Sequence, residues 1–270
     1  MALKEAHIGV AMGKSGTDVA RQAADMVIAD DNFATIVHAV REGRAIYRNI
    51  QKFIYFLLSS NAGLVFAVFV ASFLPGVKPL TPLMILWINL VTNGLPALAL
   101  GVDAPDASQM HEPPRRTDTG LLRTREYVGI LYVGVIMGTC AIACYMWPWE
   151  GDPALKQDLS RAIAFSLLAL SPLFHAFNCR SSRMSILGLR PLVFMPLVGA
   201  VALSAAIHLL AVLVPGLRPV FRTLPMNAHE WTILLLLSAS IIPVVEIFKI
   251  LLRPFDKQRG DAAPASLRAL

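Results

Sequence analysis

Long apolar stretches alternate with short polar ones along most of this chain, which is the pattern of a helical membrane protein. Several apolar runs are about 20 residues long, the length that a helix needs to cross the hydrocarbon core of a bilayer. The predicted spans cover residues 53–73, 81–100, 127–147, 159–177, 192–214 and 231–252. The pattern therefore predicts a mainly α fold: a polytopic bundle of six transmembrane helices within residues 53–252.

The first 31 residues follow a different pattern, which indicates a small soluble α/β unit. Residues 8–12 and 26–29 are short apolar segments typical of buried strands, and Thr17 can cap a helix between them. One strand–helix–strand unit is too short to bury a core alone, so we expect residues 1–31 to end a larger domain. The loop at residues 13–16 is interpreted as a tight turn or, less favoured because it lacks the full P-loop pattern, as a phosphate cradle.

A single long helix is predicted to follow this unit. Asp30, Asp31 and Asn32 offer oxygens that cap its start, and the lone Gly43 does not end the pattern. Charged residues place its first part, residues 32–52, in water as a stalk helix, and the rest is a membrane span. At about 1.5 Å per residue, 40 residues extend about 60 Å, twice the hydrocarbon thickness. We expect this helix to join the soluble unit to the bilayer as one rigid rod.

Polar residues occur at membrane depth in the second predicted span. Asn89, Thr92 and Asn93 lie in its middle, and Gly94 and Pro96 follow at once, so we expect the helix to break there. Carbonyls that a break frees are tolerated only against protein or along a cavity. Transporters build ion sites from such broken helices, whereas asparagine and threonine can also simply join neighbouring helices by hydrogen bonds. Spacing alone leaves both interpretations open.

Composition and charge agree with a membrane protein and make a nucleic-acid partner unnecessary. The chain is 56% hydrophobic and 16% charged, whereas in a typical soluble domain about a quarter of the residues are charged. Basic loops facing the cytoplasm explain the net charge of +6, and membrane lipid is the expected surrounding. By the positive-inside rule both termini are cytoplasmic, with residues 253–270 as a tail. The odd count of three cysteines argues against a disulfide framework.

Several segments resemble P-type cation-transporting ATPases, in the branch with the sarcoplasmic-reticulum calcium pumps and many bacterial cation pumps. The matching segments are residues 6–13 (AHIGVAMG), 24–33 (ADMVIADDNF), 42–47 (EGRAIY), 86–101, 113–115 (PPR) and 174–178 (FHAFN). The resemblance implies that residues 1–31 are the C-terminal remnant of a cytoplasmic phosphorylation domain of the haloacid-dehalogenase type. It also implies that residues 53–252 are the last six of ten spans, and that the protein lies in a bacterial plasma membrane.

The resemblance assigns the ATP chemistry to a part of the pump outside this sequence. The DKTGT motif with its nucleophilic aspartate is absent, as are the nucleotide-binding domain, the actuator domain and four spans, and the GDGVNDAPALK segment survives only as residues 2–4. We therefore assign no catalytic residue and expect no ATP hydrolysis by this chain alone. ATP and Mg²⁺ are implied for the complete pump, with no cofactor in this chain. The implied partners are the transported cation and the remaining pump domains.

Cation ligands are carried over from the family to the first two spans. The implied ligands are Asn61, Asn89, Thr92 and Asn93. The chain has Leu64 and Asn93 where two-site calcium pumps carry Glu and Asp, and Pro172 lies nearest to the family's Glu on the fourth span. These helices therefore supply no carboxylate, and the missing first half of the pump is expected to hold one Glu, so the resemblance implies at most one site. A neutral set of amide and hydroxyl oxygens fits a monovalent ion as the alternative to calcium.

Other polar residues in or near the spans have simpler interpretations. Glu246 and Lys249 are predicted to form an ion pair one turn apart at the membrane surface. His175 and His208 are interpreted as hydrogen-bonded core residues rather than as a proton relay. Three acidic residues of the loop after the second span either contact the phosphorylation domain or lie in solvent: Asp103, Asp106 and Glu112.

Two other functions remain open at this point. The chain would serve as a non-catalytic membrane module, or a gene remnant, that associates with or regulates an intact pump. It would otherwise be a passive channel of six spans, which is a weaker hypothesis because half of the expected ion cage is missing. An in-frame continuation upstream that encodes DKTGT would separate the pump from the remnant.

Overall fold

The computed structural model describes residues 1–104, 109–110, 120–149, 155–180 and 195–261, with side chains described up to residue 251. The chain divides into two compact units. The first comprises residues 1–48 and 104–116, and the second comprises residues 49–103 and 117–270.

The first unit begins with a strand–helix–strand arrangement, as predicted. Its elements are α1 Ala2–Glu5, β1 Val10–Met12, α2 Asp18–Ala23 and β2 Met26–Ile28. The two strands are parallel, with Ala11 opposite Val27. Thr17 caps α2 because its hydroxyl oxygen accepts a hydrogen bond from the Ala20 N–H. The predicted cap and strand positions are therefore confirmed to within two residues.

The loop at residues 13–16 is a tight turn around an acidic side chain. The carboxylate of Asp31 accepts hydrogen bonds from the backbone N–H groups of Lys14 at 2.9 Å and Ser15 at 2.7 Å. A Cβ atom at Gly16 would collide with the carbonyl oxygen of Met12. Because a carboxylate already occupies the amides and adds negative charge, this loop does not fit a phosphate of ATP or a Mg²⁺–phosphate group.

We expect this loop to loosen in acid. The amide hydrogen bonds from Lys14 and Ser15 stabilise the carboxylate of Asp31 and lower its pKa. A lowered pKa in the folded state contributes stability at neutral pH, and this stability is lost as the pH falls below about 4. Hydrogen exchange of the Lys14 and Ser15 amides, corrected for its intrinsic pH dependence, should therefore accelerate in that range. An Asp31→Asn variant should lack the acceleration; the same acid response in wild type and variant would refute the explanation.

The second unit is a bundle of membrane-length helices. The helices from residue 34 onward are α3 Ala34–Ala71, α4 Pro82–Trp87, a π-helical turn Ile88–Thr92 (the π-turn), α5 Gly94–Gly101, α6 Thr124–Met146, α7 Lys156–Cys179, α8 Met195–Leu213, α9 Arg218–Phe221, α10 Ala228–Ala239 and α11 Ile241–Asp261. Residues 34–48 of α3 belong to the first unit and its remaining residues to the second.

Six helical segments of the described residues are long and apolar enough to cross a membrane. The first to sixth spans are Ala34–Ala71, Pro82–Gly101, Thr124–Met146, Lys156–Cys179, Met195–Leu213 and Ala228–Leu251. The predicted six-span, mainly α bundle is therefore confirmed. The start predicted for the fifth span, residues 192–194, lies outside the described residues.

The fourth span, α7, is the central helix of the bundle. In its most apolar stretch 89% of the residues are buried, against at most 44% in any other span. The largest buried cluster joins Phe165 of α7 to Leu64 of α3, Ile88 of the π-turn, Ala211 of α8 and Leu234 of α10. Besides α3, six other elements of the described chain contact α7, namely α5, the π-turn, α6, α8, α10 and α11, and together they cover most of its surface.

Glycines bring α3 and α6 close together. A Cβ atom at Gly134 would lie 2.7 Å from the Cβ of Ala62, and Gly63 faces α6 just as closely. Gly138 follows Gly134 by one turn, in the small-xxx-small pattern of closely packed membrane helices. Asn61 directly precedes this contact on α3, so the crossing fixes the distance of the predicted ligand from α6.

A buried ion-pair cluster holds one end of the bundle together. Asp103 lies just after α5, and its carboxylate contacts Lys52 Nζ at 2.6 Å and Arg180 Nε at 3.1 Å. The side chains of the three residues are 10% to 16% exposed, and Asn49 donates a further hydrogen bond to the Asp103 carbonyl. Asp103 is therefore not a solvated loop residue, whereas the predictions for Asp106 and Glu112 lie outside the described residues.

Removing this carboxylate should destabilise the bundle. An Asp103→Asn substitution leaves the charged groups of Lys52 and Arg180 in place without their carboxylate, which should cost about 2 kcal/mol of unfolding free energy. In a double-mutant cycle with Lys52→Met, measured by thermal unfolding in detergent, we expect a coupling of about 1 kcal/mol. Strictly additive effects would show that the ion pair contributes nothing.

The sixth span is divided near Ser240 into α10 and α11, which the sequence analysis did not predict. Pro243 has no N–H to donate to the carbonyl of Ala239, where α10 ends. The predicted ion pair is confirmed, with Lys249 Nζ 3.1 Å from Glu246 Oε1. Lys249 also donates to the carbonyl of Asn178 at 3.0 Å, so this buried cation caps the C-terminal end of α7.

Candidate cation site at the π-turn

The second span is widened by a π-turn rather than broken. The Asn93 N–H donates to the carbonyl of Ile88, five residues earlier, at 2.9 Å. The predicted break at Gly94 and Pro96 is therefore wrong, because the α-helix resumes at Gly94 and continues through Pro96. The irregularity of this span is a π-turn, and it lies about one turn earlier than predicted. Pro96 cannot donate to the Thr92 carbonyl, and the wider turn before it accommodates that missing hydrogen bond. Turns of this kind are frequent at functional sites.

Asn93, at the end of the π-turn, has the least satisfied side chain of the predicted ligands. The residue is fully buried, and neither its amide oxygen nor its amide nitrogen has a hydrogen-bond partner among the described residues. An unpaired buried polar group costs about 1–3 kcal/mol, so a buried group of this kind usually binds a water molecule or an ion. Its amide oxygen is of the type that coordinates hard cations.

The side chains of Thr92 and Asn89 donate hydrogen bonds to backbone carbonyls of their own span. The Thr92 hydroxyl is fully buried and donates to the carbonyl of Ile88 at 2.8 Å. The half-buried Asn89 donates from Nδ2 to the carbonyl of Ile85 at 3.1 Å. Each donor is thereby held by its own helix, which leaves the side-chain oxygen as the group that can accept a cation.

Asn61 is half-buried on α3 at a depth similar to that of these residues. One buried cluster contains Phe56 of α3 with Ala97 of α5, and another contains Leu64 of α3 with Ile88 of the π-turn. Asn61 lies between these two levels on α3, and the end of the π-turn lies between them on the second span. The shared depth supports the predicted ligand set, which stays a prediction.

The described residues around this depth offer no cluster of charged ligands. Leu64 belongs to the apolar core and Pro172 is buried within α7, so neither supplies an oxygen from its side chain. Among the described residues no three His, Cys, Asp or Glu side chains come together as a metal site. Any cation held here by this chain would therefore meet uncharged amide, hydroxyl and carbonyl oxygens.

The two histidines in the spans differ in their surroundings. His175 is fully buried and its Nε2 lies 3.0 Å from the hydroxyl of Ser59, as expected for a hydrogen-bonded core histidine. His208 is also fully buried, against the ring of Phe165, but neither of its nitrogens has a partner among the described residues. The prediction of a hydrogen-bonded histidine is thus confirmed for His175 and wrong for His208 within the described part.

The fifth span makes a polar contact that was not predicted from the sequence. Ser204 donates to the carbonyl of Val91 in the π-turn at 3.3 Å, and His208 follows one turn later on the same face of α8. Two polar residues four apart in an apolar helix were the available signal. The contact shows that α8 packs against the π-turn.

Six membrane-length helices define an integral membrane protein. The chain belongs to the family of cation-transporting ATPases, whose C-terminal region, described as "Cation transporting ATPase, C-terminus", matches residues 77–251. The family resemblance predicted from the sequence is therefore confirmed.

Similar proteins carry names of calcium pumps. The "Calcium-transporting ATPase" of Bacillus subtilis is 40% identical over 90% of this chain and 27% of its own length. "Endoplasmic reticulum calcium ATPase srcA" of Aspergillus fumigatus is 38% identical over 92% of this chain and 28% of its own length. "Calcium-transporting ATPase 3, endoplasmic reticulum-type" of Arabidopsis thaliana is 38% identical over 99% of this chain and 30% of its own length. The chain thus spans less than a third of the length of these relatives.

Proposed function

We propose that this chain is the transmembrane cation-transport part of an ATP-driven P-type pump, with Ca²⁺ as the first candidate ion. The observation that carries this proposal is the buried, unpaired amide of Asn93 beside a π-turn in a span of a cation-ATPase family member. Asn61, Asn89 and Thr92 complete the ligand set proposed for this chain. The names of the similar proteins support Ca²⁺ as the ion.

An uncharged ligand set needs charge from elsewhere to hold a divalent ion. Ca²⁺ takes six to eight oxygen ligands, usually including carboxylates. The four side chains proposed here supply amide and hydroxyl oxygens only, so the remaining spans of the pump must contribute at least one carboxylate. Without such a carboxylate, the same oxygens would better suit a monovalent cation.

The remaining domains of the pump would supply the energy. ATP and Mg²⁺ provide the phosphorylation chemistry in those domains, and the described residues 13–16 do not fit a phosphate. We assign residues 1–31 to the end of the phosphorylation domain and residues 32–52 to the stalk helix. The uninterrupted helix α3 supports a role of the stalk in coupling the phosphorylation domain to Asn61.

The proposed location is a bacterial plasma membrane with both termini in the cytoplasm. Support comes from the ion-pair residues Lys52 and Arg180 and the capping cation Lys249, which all belong to the span ends on the N-terminal side. Basic groups at the span ends are typical of the cytoplasmic side.

Phosphoenzyme trapping tests this proposal. The chain is co-expressed with the remaining part of the pump, and membranes are incubated with radiolabelled ATP and graded Ca²⁺. We expect Ca²⁺-dependent label only when both polypeptides are present, on the partner polypeptide and not on this chain. ATP-driven ⁴⁵Ca²⁺ uptake into inverted vesicles should follow the same dependence.

The other hypotheses predict different results. A covalent phosphate on this chain would overturn the assigned division of labour. ATP-independent Ca²⁺ flux through vesicles that contain this chain alone would favour a passive channel. Label and uptake that appear equally without this chain would favour the regulatory module or the gene remnant.

A further inference from the structure

A hydrogen bond between two buried side chains links α7 to α3 just before the proposed ligand Asn61. The Ser59 hydroxyl and His175 Nε2 lie 3.0 Å apart, and both residues are fully buried. The ring of His175 also contacts the ring of Tyr55 of α3, with centroids 5.9 Å apart. The central helix of the bundle therefore contacts α3 through one polar and one aromatic contact at this level.

The Ser59 hydroxyl has three partners within hydrogen-bond distance: the carbonyl of Tyr55 at 2.7 Å, the carbonyl of Phe56 at 3.1 Å and Nε2 of His175 at 3.0 Å. The hydroxyl carries a single proton, so the tautomer of His175 sets which of the two side chains donates to the other. Nδ1 of the ring has no partner among the described residues, so Ser59 is the group that orients the imidazole.

Ser59 and Asn61 point to different sides of the same helix. Residues of an α-helix are rotated by about 100° each, so two positions separate the side chains by about 200°. Ser59 is held by α7, and the glycine contact with α6 begins at Ala62 and Gly63. With these two contacts made on one side of α3, Asn61 is directed to the other.

We propose that His175 is a positioning residue for the cation site, which acts through Ser59 to hold the rotation of α3 at which Asn61 faces the ion. This inference rests on the proposed function. His175 does not touch the cation. Loss of its hydrogen bond lets α3 rotate about its axis and weakens cation binding without removing a ligand.

The test compares variants of Ser59 and His175 in the assembled pump, with Ca²⁺ as the probe. Ser59→Ala and His175→Leu should each raise the Ca²⁺ concentration for half-maximal phosphoenzyme about five- to tenfold, with the maximal level unchanged. The double variant should be no worse than either single one, since both remove the same hydrogen bond. His175→Gln, whose terminal amide reaches the Nε2 position and can either donate to or accept from Ser59, should restore Ca²⁺ dependence, whereas the shorter His175→Asn should not.

Ser60→Ala is the matched control. The Ser60 hydroxyl is buried in the next position of α3 but donates to the carbonyl of Phe56, and no contact with His175 is described. Its removal should leave the Ca²⁺ dependence unchanged. The proposal is overturned if Ser59→Ala shifts the half-maximal concentration no more than Ser60→Ala, or if His175→Gln is as impaired as His175→Leu.

A second measurement on this chain alone separates this inference from the proposed function. The thiol of an Asn61→Cys variant, in a chain whose native cysteines are replaced by alanine, is labelled with a membrane-permeant maleimide. Adding Ser59→Ala should change the labelling rate, and adding Ser60→Ala should not. Equal rates would refute the rotational role, whereas Ca²⁺-independent phosphorylation of the wild-type pump would refute the proposed function.

Discussion

Replacing Asn93 with alanine should separate cation binding from stability more sharply than any other substitution in the bundle. We expect the Ca²⁺ concentration for half-maximal phosphoenzyme to rise about 30- to 100-fold, because the cation loses one of its oxygen ligands. The melting temperature should stay the same or rise. The side-chain amide of Asn93 has no hydrogen-bond partner among the described residues, so its removal breaks no hydrogen bond there and relieves the cost of burying an unpaired polar group.

Asn178→Ala is the contrasting control for Asn93→Ala. Asn178 is as deeply buried, but its Nδ2 donates to the carbonyl of Ile241 at 3.3 Å. This variant should lower the melting temperature while the Ca²⁺ dependence of the folded fraction stays near wild type. Asn61→Ala should act like Asn93→Ala, and the site assignment fails if neither of these two variants changes cation-dependent phosphorylation.

Introducing leucine at Gly134 should give the largest loss of stability among the bundle variants. The Cβ alone would lie 2.7 Å from Ala62 Cβ and 3.2 Å from the backbone of α3, and the remaining side-chain atoms have no space between the helices. The helices must separate, which costs about 3 kcal/mol or more. Thermal unfolding in detergent should show this loss, with Gly134→Ala giving a smaller one.

Gly199→Leu is the matched control for Gly134→Leu. Gly199 also lies in a membrane helix, but a Cβ atom there would meet nothing within 4 Å. Leucine should be tolerated at this exposed position and should stabilise α8 slightly through its better helix propensity. Equal melting temperatures for the two variants would show that the contact between α3 and α6 does not limit stability.

The predictions that rested on a regular period agree with the structure. About 20 consecutive apolar residues identify a span because the bilayer thickness sets the length of every spanning helix. Glu246 and Lys249 were predicted correctly because residues three apart are neighbours on any helix. Thr17 was predicted as a cap because its contact is local.

The second span shows where local reasoning was insufficient. Gly94 and Pro96 predicted a break from intrinsic propensities, yet the helix continues through both. The irregularity lies earlier, in the π-turn, where Ser204 of α8 donates to a carbonyl from another span. Pro96 accounts for the missing hydrogen bond within the span, but the contact of Ser204 with Val91 joins residues more than a hundred positions apart, which propensity in one segment could not predict.

The sequence by itself determined the number of spans, the strand–helix–strand unit at the start and the polar residues that lie at membrane depth, because each depends on composition and spacing within one segment. Tertiary structure alone decided that α7 is central, that Asp103 pairs with Lys52 and Arg180, and that His175 meets Ser59. Helices in lipid associate through shape and hydrogen bonds rather than through apolar character, which nearly all their residues share. Which apolar face meets which neighbour is therefore decided by the assembled bundle.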